Sequence, residues 1–400
     1  MLKKCLLSPS YFSLFLFIWL SSSLFAEPLN LTVNAESAIL MNADTGAILY
    51  QKNAHKPLHP ASITKVATAA YALHAAGDRL DKTITADQEA LVSIAEDVKR
   101  RSNYSQPAYW LVPGGSHIGI KKGEQLKMRD LLMGMLIASG NDASNVIAQD
   151  IGGTIPQFVE NMNNYIKSLG CKKTTFYNPH GLHHPKHVST AYDMALITRE
   201  VLKQPSFCEA VSSIRYTRPK TNKQESTVLV QTNKLIKPGK HFYTKAIGVK
   251  TGYTSQAQNT FVAAATHEDR TLIAVLLKSK EREDIFKDAT KLFEAAFNQP
   301  KVQRTLLKAG PQKYALEHQG AANPIKTYIS EDFVLEYYPA EEPNVKGLLY
   351  WDAITFPVVK DQQVGELRVQ TDAGLTLRSV PLLAQEQVKS TWGYWLKSFF

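Results

Sequence analysis

The stretch Pro60-Ala61-Ser62-Ile63-Thr64-Lys65, running on into Val66-Ala67-Thr68-Ala69-Ala70-Tyr71-Ala72-Leu73, constrains this chain more than any other. Proline's fixed φ and missing N–H cost nothing in a first helical turn, so the run predicts a helix opening near Ser62. Ser62 and Lys65 are three residues apart and so share one face. A hydroxyl beside an amine is a nucleophile beside a base, the pair that covalent catalysis requires. Single Ser-x-x-Lys pairs are common on solvated helix surfaces, so the meaning of this one depends on what accompanies it.

The chain has 400 residues, enough for roughly two to three domains. Lys3 and Lys4 precede an apolar run from Tyr11 to Leu20 and small residues ending at Ala26. This reads as a signal peptide over 1–26 whose apolar run is too short for a comfortable membrane span, and the chain is expected to be exported whether or not the leader is cut. Cys5 belongs to the leader; Cys171 and Cys208 either pair or remain two buried thiols. The net charge of +10 is scattered, with only Lys99-Arg100-Arg101 clustered, which reads as a solvated face. No nucleic-acid partner is expected of an exported chain; anionic lipid and wall polymer suit its charge better.

Ala38 to Lys52 reads as a hairpin turning at Asp44-Thr45-Gly46. Residues 94–121 read as a long surface loop. Asp130 to Ile137 is apolar on nearly every side, as a buried helix should be, and stops at Ser139-Gly140-Asn141-Asp142, after which a second helix starts. Ser139 and Asn141 therefore fall in a break where side chains can face a site. Thr190 to Lys203 reads as a helix. Strand patterns follow at Thr227–Thr232, Ile247–Thr251, Thr260–Ala265 and Thr271–Leu277, then an amphipathic helix from Lys280 to Phe297. Together these imply an α+β domain, a mixed sheet with helices packed on it. Beyond Gln299-Pro300, short alternating segments at 327–329, 333–338, 354–359, 364–369 and 375–377 predict a small all-β domain. Trp392, Trp395, Leu396, Phe399 and Phe400 then recur at helical spacing, the pattern of a helix lying in a bilayer interface.

Three motifs stand in order: Ser62-x-x-Lys65, Ser139-x-Asn141 and Lys250-Thr251-Gly252, each occurring once. Together they are the signature of penicillin-binding proteins and class A β-lactamases. The chain resembles the low-molecular-weight penicillin-binding proteins, specifically the serine-type D-alanyl-D-alanine carboxypeptidases. Ala138-Ser139-Gly140-Asn141-Asp142-Ala143, Asn178-Pro179-His180-Gly181-Leu182 and Gly248-Val249-Lys250-Thr251-Gly252-Tyr253-Thr254 match as well. The resemblance implies a serine β-lactamase/penicillin-binding transpeptidase-like domain, an antiparallel sheet with helices, over 30–299. It further implies a β-domain over 300–384 and a short amphipathic anchor helix over 385–400.

It also implies roles. Ser62 attacks the carbonyl of the penultimate D-alanine of a peptidoglycan stem peptide, and β-lactams acylate the same oxygen. Lys65 must be neutral to take the proton; burial and the nearby Lys250 both push it that way. Ser139 and Asn141 relay a proton and hold the substrate amide. The N–H groups of Ser62 and Tyr253 form the oxyanion hole, with Gly252 allowing close approach. Lys250, Thr251 and Arg282 receive the terminal carboxylate; Arg282 is placed only by its distance beyond the Lys-Thr-Gly motif. No cofactor and no metal are expected.

The family commonly carries an aspartate after His-Gly-Leu, whereas here His183 stands there, with His184 and His187 following. These read as solvated loop histidines before a metal site. Three alternatives stay open: a β-lactamase, a DD-endopeptidase and a non-catalytic wall-binding protein. A class A β-lactamase needs a glutamate to drive deacylation, and Glu160, Glu200, Glu209 and Glu225 sit in no recognisable loop of that kind.

Overall fold

In the computed structural model the described residues are 17–18, 28–77, 79–371 and 374–392. They form two compact units, one of Pro28–Gln299 and the other holding Pro300–Phe400. The expected leader 1–26 lies outside the described residues except for Phe17–Ile18, which pairs with Gly347–Leu348.

The larger unit is built on a five-stranded sheet in the order Ile48–Lys52, Ser37–Asn42, Arg270–Ser279, Gln258–His267, Ala246–Thr254. Every pairing is antiparallel, so the sheet is not mixed. Its inner strands read as unbroken apolar runs, Phe261 to Ala265 and Leu272 to Leu277, because helices cover both of their faces. The Ala246–Thr254 strand lies at the edge, leaving one row of backbone groups unpaired by the sheet.

The eight α-helices of this unit among the described residues are α1 Thr64–Ala76, α2 Glu96–Arg101, α3 Met128–Ile137, α4 Asn141–Gly152, α5 Ile155–Ser168, α6 Ala191–Val201, α7 Pro205–Ser212 and α8 Arg282–Phe297. α1 lies at the centre, against α4, α5 and α6. Its alanines explain that position, since Ala67, Ala69, Ala70 and Ala72 are buried and leave room for neighbouring helices to close in. The helix opens two residues later than predicted. Ala61–Ile63 forms a 3₁₀ turn, and Ser62 rides on that turn, not on the α-helix.

The segment 94–121 is not the featureless loop predicted. It contains α2, and Ser93 bridges in parallel to Leu111. Nor is Lys99 part of a solvated face: it is buried, and its amine donates to the carbonyl of Trp110. Cys171 and Cys208 are both free thiols.

The smaller unit is all-β. One sheet runs Val345–Trp351, Gln363–Thr371, Thr376–Ala384, Ile325–Ile329, Gly310–Leu316, and Val302–Leu307 pairs separately with Phe333–Tyr337. Ile329, Phe333, Val369 and Leu382 fill its core. The predicted strand at 354–359 is absent, leaving only a bridge from Val358 to Val388. That bridge also corrects the predicted helix over 385–400. Val388 is buried with Ile325, Val358, Val364 and Ala384, and Ser390 bridges to Ala321, so this stretch runs extended on the β-unit as far as Thr391. Residues 393–400 of that prediction lie outside the described residues.

Candidate active site

Four elements converge on Ser62. The first is its own turn, which is held by contacts that leave no spare room. Thr260 Oγ1, on the sheet, donates to Pro60 O at 2.7 Å. Gly181 (φ +89) lies so close that a Cβ there would sit 1.9 Å from Ala61 O. A Cβ on Gly252 would come within 2.8 Å of the Ser62 nitrogen. The third residue of the Lys-Thr-Gly motif therefore lets the strand edge meet the Ser62 backbone. Ala61 itself has φ +53, a conformation that a residue with a Cβ adopts only when its surroundings impose it.

The second element is the start of α1, which buries Lys65 completely. Its Nζ lies 3.1 Å from Ser62 Oγ and donates to Asn141 Oδ1 and to His180 O, both at 2.7 Å. Burial, and after it the Lys250 charge, hold this amine well below the usual lysine range, while Asp142 acts in the opposite sense. The third is the break between α3 and α4. Ser139 has φ +62, Gly140 precedes the helix, and Asn141 is its first residue.

On the fourth, the strand edge, Lys250 is fully buried, its amine donating to Thr251 O at 2.9 Å. Burial, and then the nearby Arg282, bring it down to about 7. Thr251 Oγ1 lies 2.9 Å from Thr232 Oγ1. A cleft of about 200 Å³ is lined by Ser62, Ser139, Thr251, Gly252, Tyr253 and Arg282, so six of the nine predicted site residues face one opening. Lys65, Asn141 and Lys250 are buried beneath it. Arg282, placed only by distance in the sequence, therefore belongs to this group.

Sequence reasoning missed Ser116, Thr232 and Asn259, which also line the cleft, and His180, which contributes through its carbonyl. A hydroxyl in a loop and a backbone oxygen carry no sequence signal. The three other histidines of this stretch are not all solvated. His187 is buried, with Nε2 2.9 Å from Thr64 Oγ1, and burial followed by neighbouring His184 brings it down to about 3. His183 packs edge-on against His59 and Tyr104, and His184 stacks on Tyr177. Among the described residues no group of three or more His, Cys, Asp or Glu side chains could hold a metal.

The four glutamates weighed as deacylation groups all lie elsewhere. Glu200 pairs with Lys203, Glu209 with Arg129 and Glu225 with Lys220, and Glu160 lines a separate cavity beside α5. Chemically, the arrangement offers a hydroxyl beside a desolvated amine, amide and hydroxyl groups on one wall, and cations on the other.

The sequence profile of peptidase family S11, D-alanyl-D-alanine carboxypeptidase, matches residues 24–281. The chain is 33% identical over 368 residues to D-alanyl-D-alanine carboxypeptidase DacF of Bacillus subtilis (strain 168), covering 89% of this chain and 86% of that protein. It is 30% identical over 362 residues to D-alanyl-D-alanine carboxypeptidase DacD of Escherichia coli (strain K12), with coverages of 89% and 87%. The solved structure of penicillin binding protein 6B from Escherichia coli is similar at a TM-score of 0.63 and 26% identity, covering 90% of this chain and 98% of that one. With the profile matching residues 24–281 and DacF 33% identical over 89% of this chain, the chain belongs to the D-alanyl-D-alanine carboxypeptidase family.

Proposed function

We propose that this chain is a serine carboxypeptidase removing the terminal D-alanine from peptidoglycan stem peptides through an acyl-enzyme on Ser62. The observation that carries the reading is the complete burial of Lys65 with its Nζ 3.1 Å from Ser62 Oγ, since that burial and the Lys250 charge hold the amine well below the usual lysine range. A neutral amine has two N–H donors and one lone pair. Asn141 Oδ1 and His180 O accept the two donors, leaving the lone pair for the Ser62 hydroxyl.

Ser62 Oγ then attacks the carbonyl carbon of the penultimate D-alanine while its proton passes to Lys65. The N–H groups of Ser62 and Tyr253 take the oxyanion, a role supported by the close approach of Gly252 to the Ser62 nitrogen. Ser139, on the cleft wall, delivers a proton to the departing D-alanine amine, and water hydrolyses the ester in the second half-reaction. Lys250 from below, with Thr251 and Arg282 on the wall, receives the terminal carboxylate. A penicillin presents a carboxylate and a strained amide with the same spacing of functions, so it acylates the same oxygen.

Export through the leader 1–26 and attachment to a membrane surface through the aromatic tail complete the reading. Among the described residues no helix is long and apolar enough to cross a membrane.

The test is release of D-alanine from a pentapeptide ending in D-Ala-D-Ala, with Ser62→Ala as control. Release by wild type alone is expected. Release by Ser62→Ala at the wild-type rate would remove the serine mechanism, and fast nitrocefin turnover would make the chain a β-lactamase.

A further inference from the structure

One wall of the cleft carries Ser116, and a single buried side chain holds that wall in place. Asp142 follows Asn141 in the first turn of α4 and is only 2% exposed. Its Oδ2 accepts the backbone N–H groups of three consecutive residues, Ile118 at 3.1 Å, Gly119 at 2.9 Å and Ile120 at 3.0 Å. Its Oδ1 accepts from Ile118 N at 3.0 Å and from Ala143 N at 2.9 Å. The same two segments are joined a second time, Asn141 N donating to Ser116 O at 2.8 Å. Gly140 leaves no slack between them, because a Cβ there would stand 3.0 Å from Asp142 Oδ1 and 3.1 Å from Ile118 Cγ2.

A carboxylate that only complemented the helix dipole would face the N–H groups of its own first turn. This one spends most of its acceptor capacity on another segment. That segment carries one cleft-lining hydroxyl, Ser116, and the turn before Asp142 carries another, Ser139.

We propose that Asp142 is a positioning residue for acylation, clamping the 118–120 backbone, and with it the Ser116 wall, onto the turn that presents Ser139 and Asn141. The inference rests on the carboxypeptidase reading above.

The clamp has an electrostatic consequence that a purely structural brace lacks. The charged and titratable groups facing Lys65 are Lys250 on the strand edge, Asp142 on α4, and His180 and His187 on the 177–190 segment. Burial holds both histidines neutral near pH 7, so Asp142 is the negative member of the set. Its charge favours the Lys65 ammonium. Removing it lowers the Lys65 pKa, frees the amine at lower pH, and moves the acid limb of the acylation profile downward.

The test compares full-length wild type with Asp142→Asn and Asp142→Glu. Penicillin acylation of Ser62 is followed by mass against pH, and amide exchange is read at Ile118, Gly119 and Ile120. Asp142→Asn places an N–H₂ against N–H donors; acylation is expected to fall about tenfold to a hundredfold, with faster exchange at the three amides and an acid limb at lower pH. Asp142→Glu keeps the charge, so its acid limb stays at the wild-type position.

A folded Asp142→Asn protein with wild-type rate and acid limb would overturn the inference, as would a rate that fell only in proportion to the unfolded fraction. If the Asn variant fails to fold, the Glu variant decides. Slower acylation with faster exchange at 118–120 supports the clamp, and wild-type behaviour in both removes it. Wild type that resists penicillin would instead remove the carboxypeptidase reading itself, whereas acylated wild type with indifferent variants removes this inference alone.

Discussion

In the proposed mechanism Lys65 is the residue on which the chemistry turns, and its burial is the reason. A buried amine beside a second cation loses its proton readily. General-base assistance of this kind is worth about 10²–10⁴ in rate, so Lys65→Ala should lower acylation by that factor without unfolding the protein; stopped-flow acylation and a melting curve together check it. Lys250 gives a prediction in stability. Its pKa of about 7 in the fold lies below the unfolded value of about 10.4. Between the two the unfolded chain holds a proton that the folded chain lacks, so stability rises with pH across that window and the full penalty is felt below it. Urea unfolding at pH 7 and pH 9 should show wild type gaining stability with pH, and Lys250→Met should flatten the slope. At this scale the sequence was informative where chemistry demanded a fixed spacing, as at Ser62, Lys65, Ser139, Asn141 and Lys250. It was silent on the His180 carbonyl, because any residue could supply that atom. It was equally silent on Asp142, since an acid in a first helical turn looks like an ordinary dipole partner.

Among the elements, the turn before α1 does what the helix was expected to do. The proline and alanine pattern foretold a helix start, but Ser62 sits on a tighter 3₁₀ turn pressed between Gly181 and Gly252. Gly181→Ala meets both a left-handed φ and a backbone oxygen at 1.9 Å. It should destabilise the fold by at least ~2 kcal/mol and cut acylation in the fraction that remains folded, as calorimetry and penicillin labelling would show. The long strands and α3 were legible because burial on both faces leaves continuous apolar runs. α2 was hidden because six residues, three of them basic, give no readable period. The tail was misjudged as far as Thr391 because its helical spacing is read from Trp392 onward, and only the partner Val358 shows that Val388 before it runs extended.

For the molecule as a whole, the division at Gln299 and Pro300 separates a unit that, among the described residues, holds every cleft residue from an all-β unit that holds none of them. That division coincides with a change of texture in the sequence that needs no tertiary information, from long helices to short strands broken by Pro, Gly and Asp. Val388 and Ser390 belong to the β-unit, so in the proposed reading the membrane-attaching segment is the stretch C-terminal to them. Deleting 393–400 should release the protein from membranes with its carboxypeptidase activity intact, and fractionation that left it membrane-bound would show another anchor.

The proposed acylation chemistry rests on the charge of one nitrogen. The direct measurement is the ¹⁵N chemical shift of Lys65 Nζ in selectively labelled protein, recorded at a pH where wild type acylates at its full rate. The account predicts an uncharged amine there; an ammonium at that pH would contradict it.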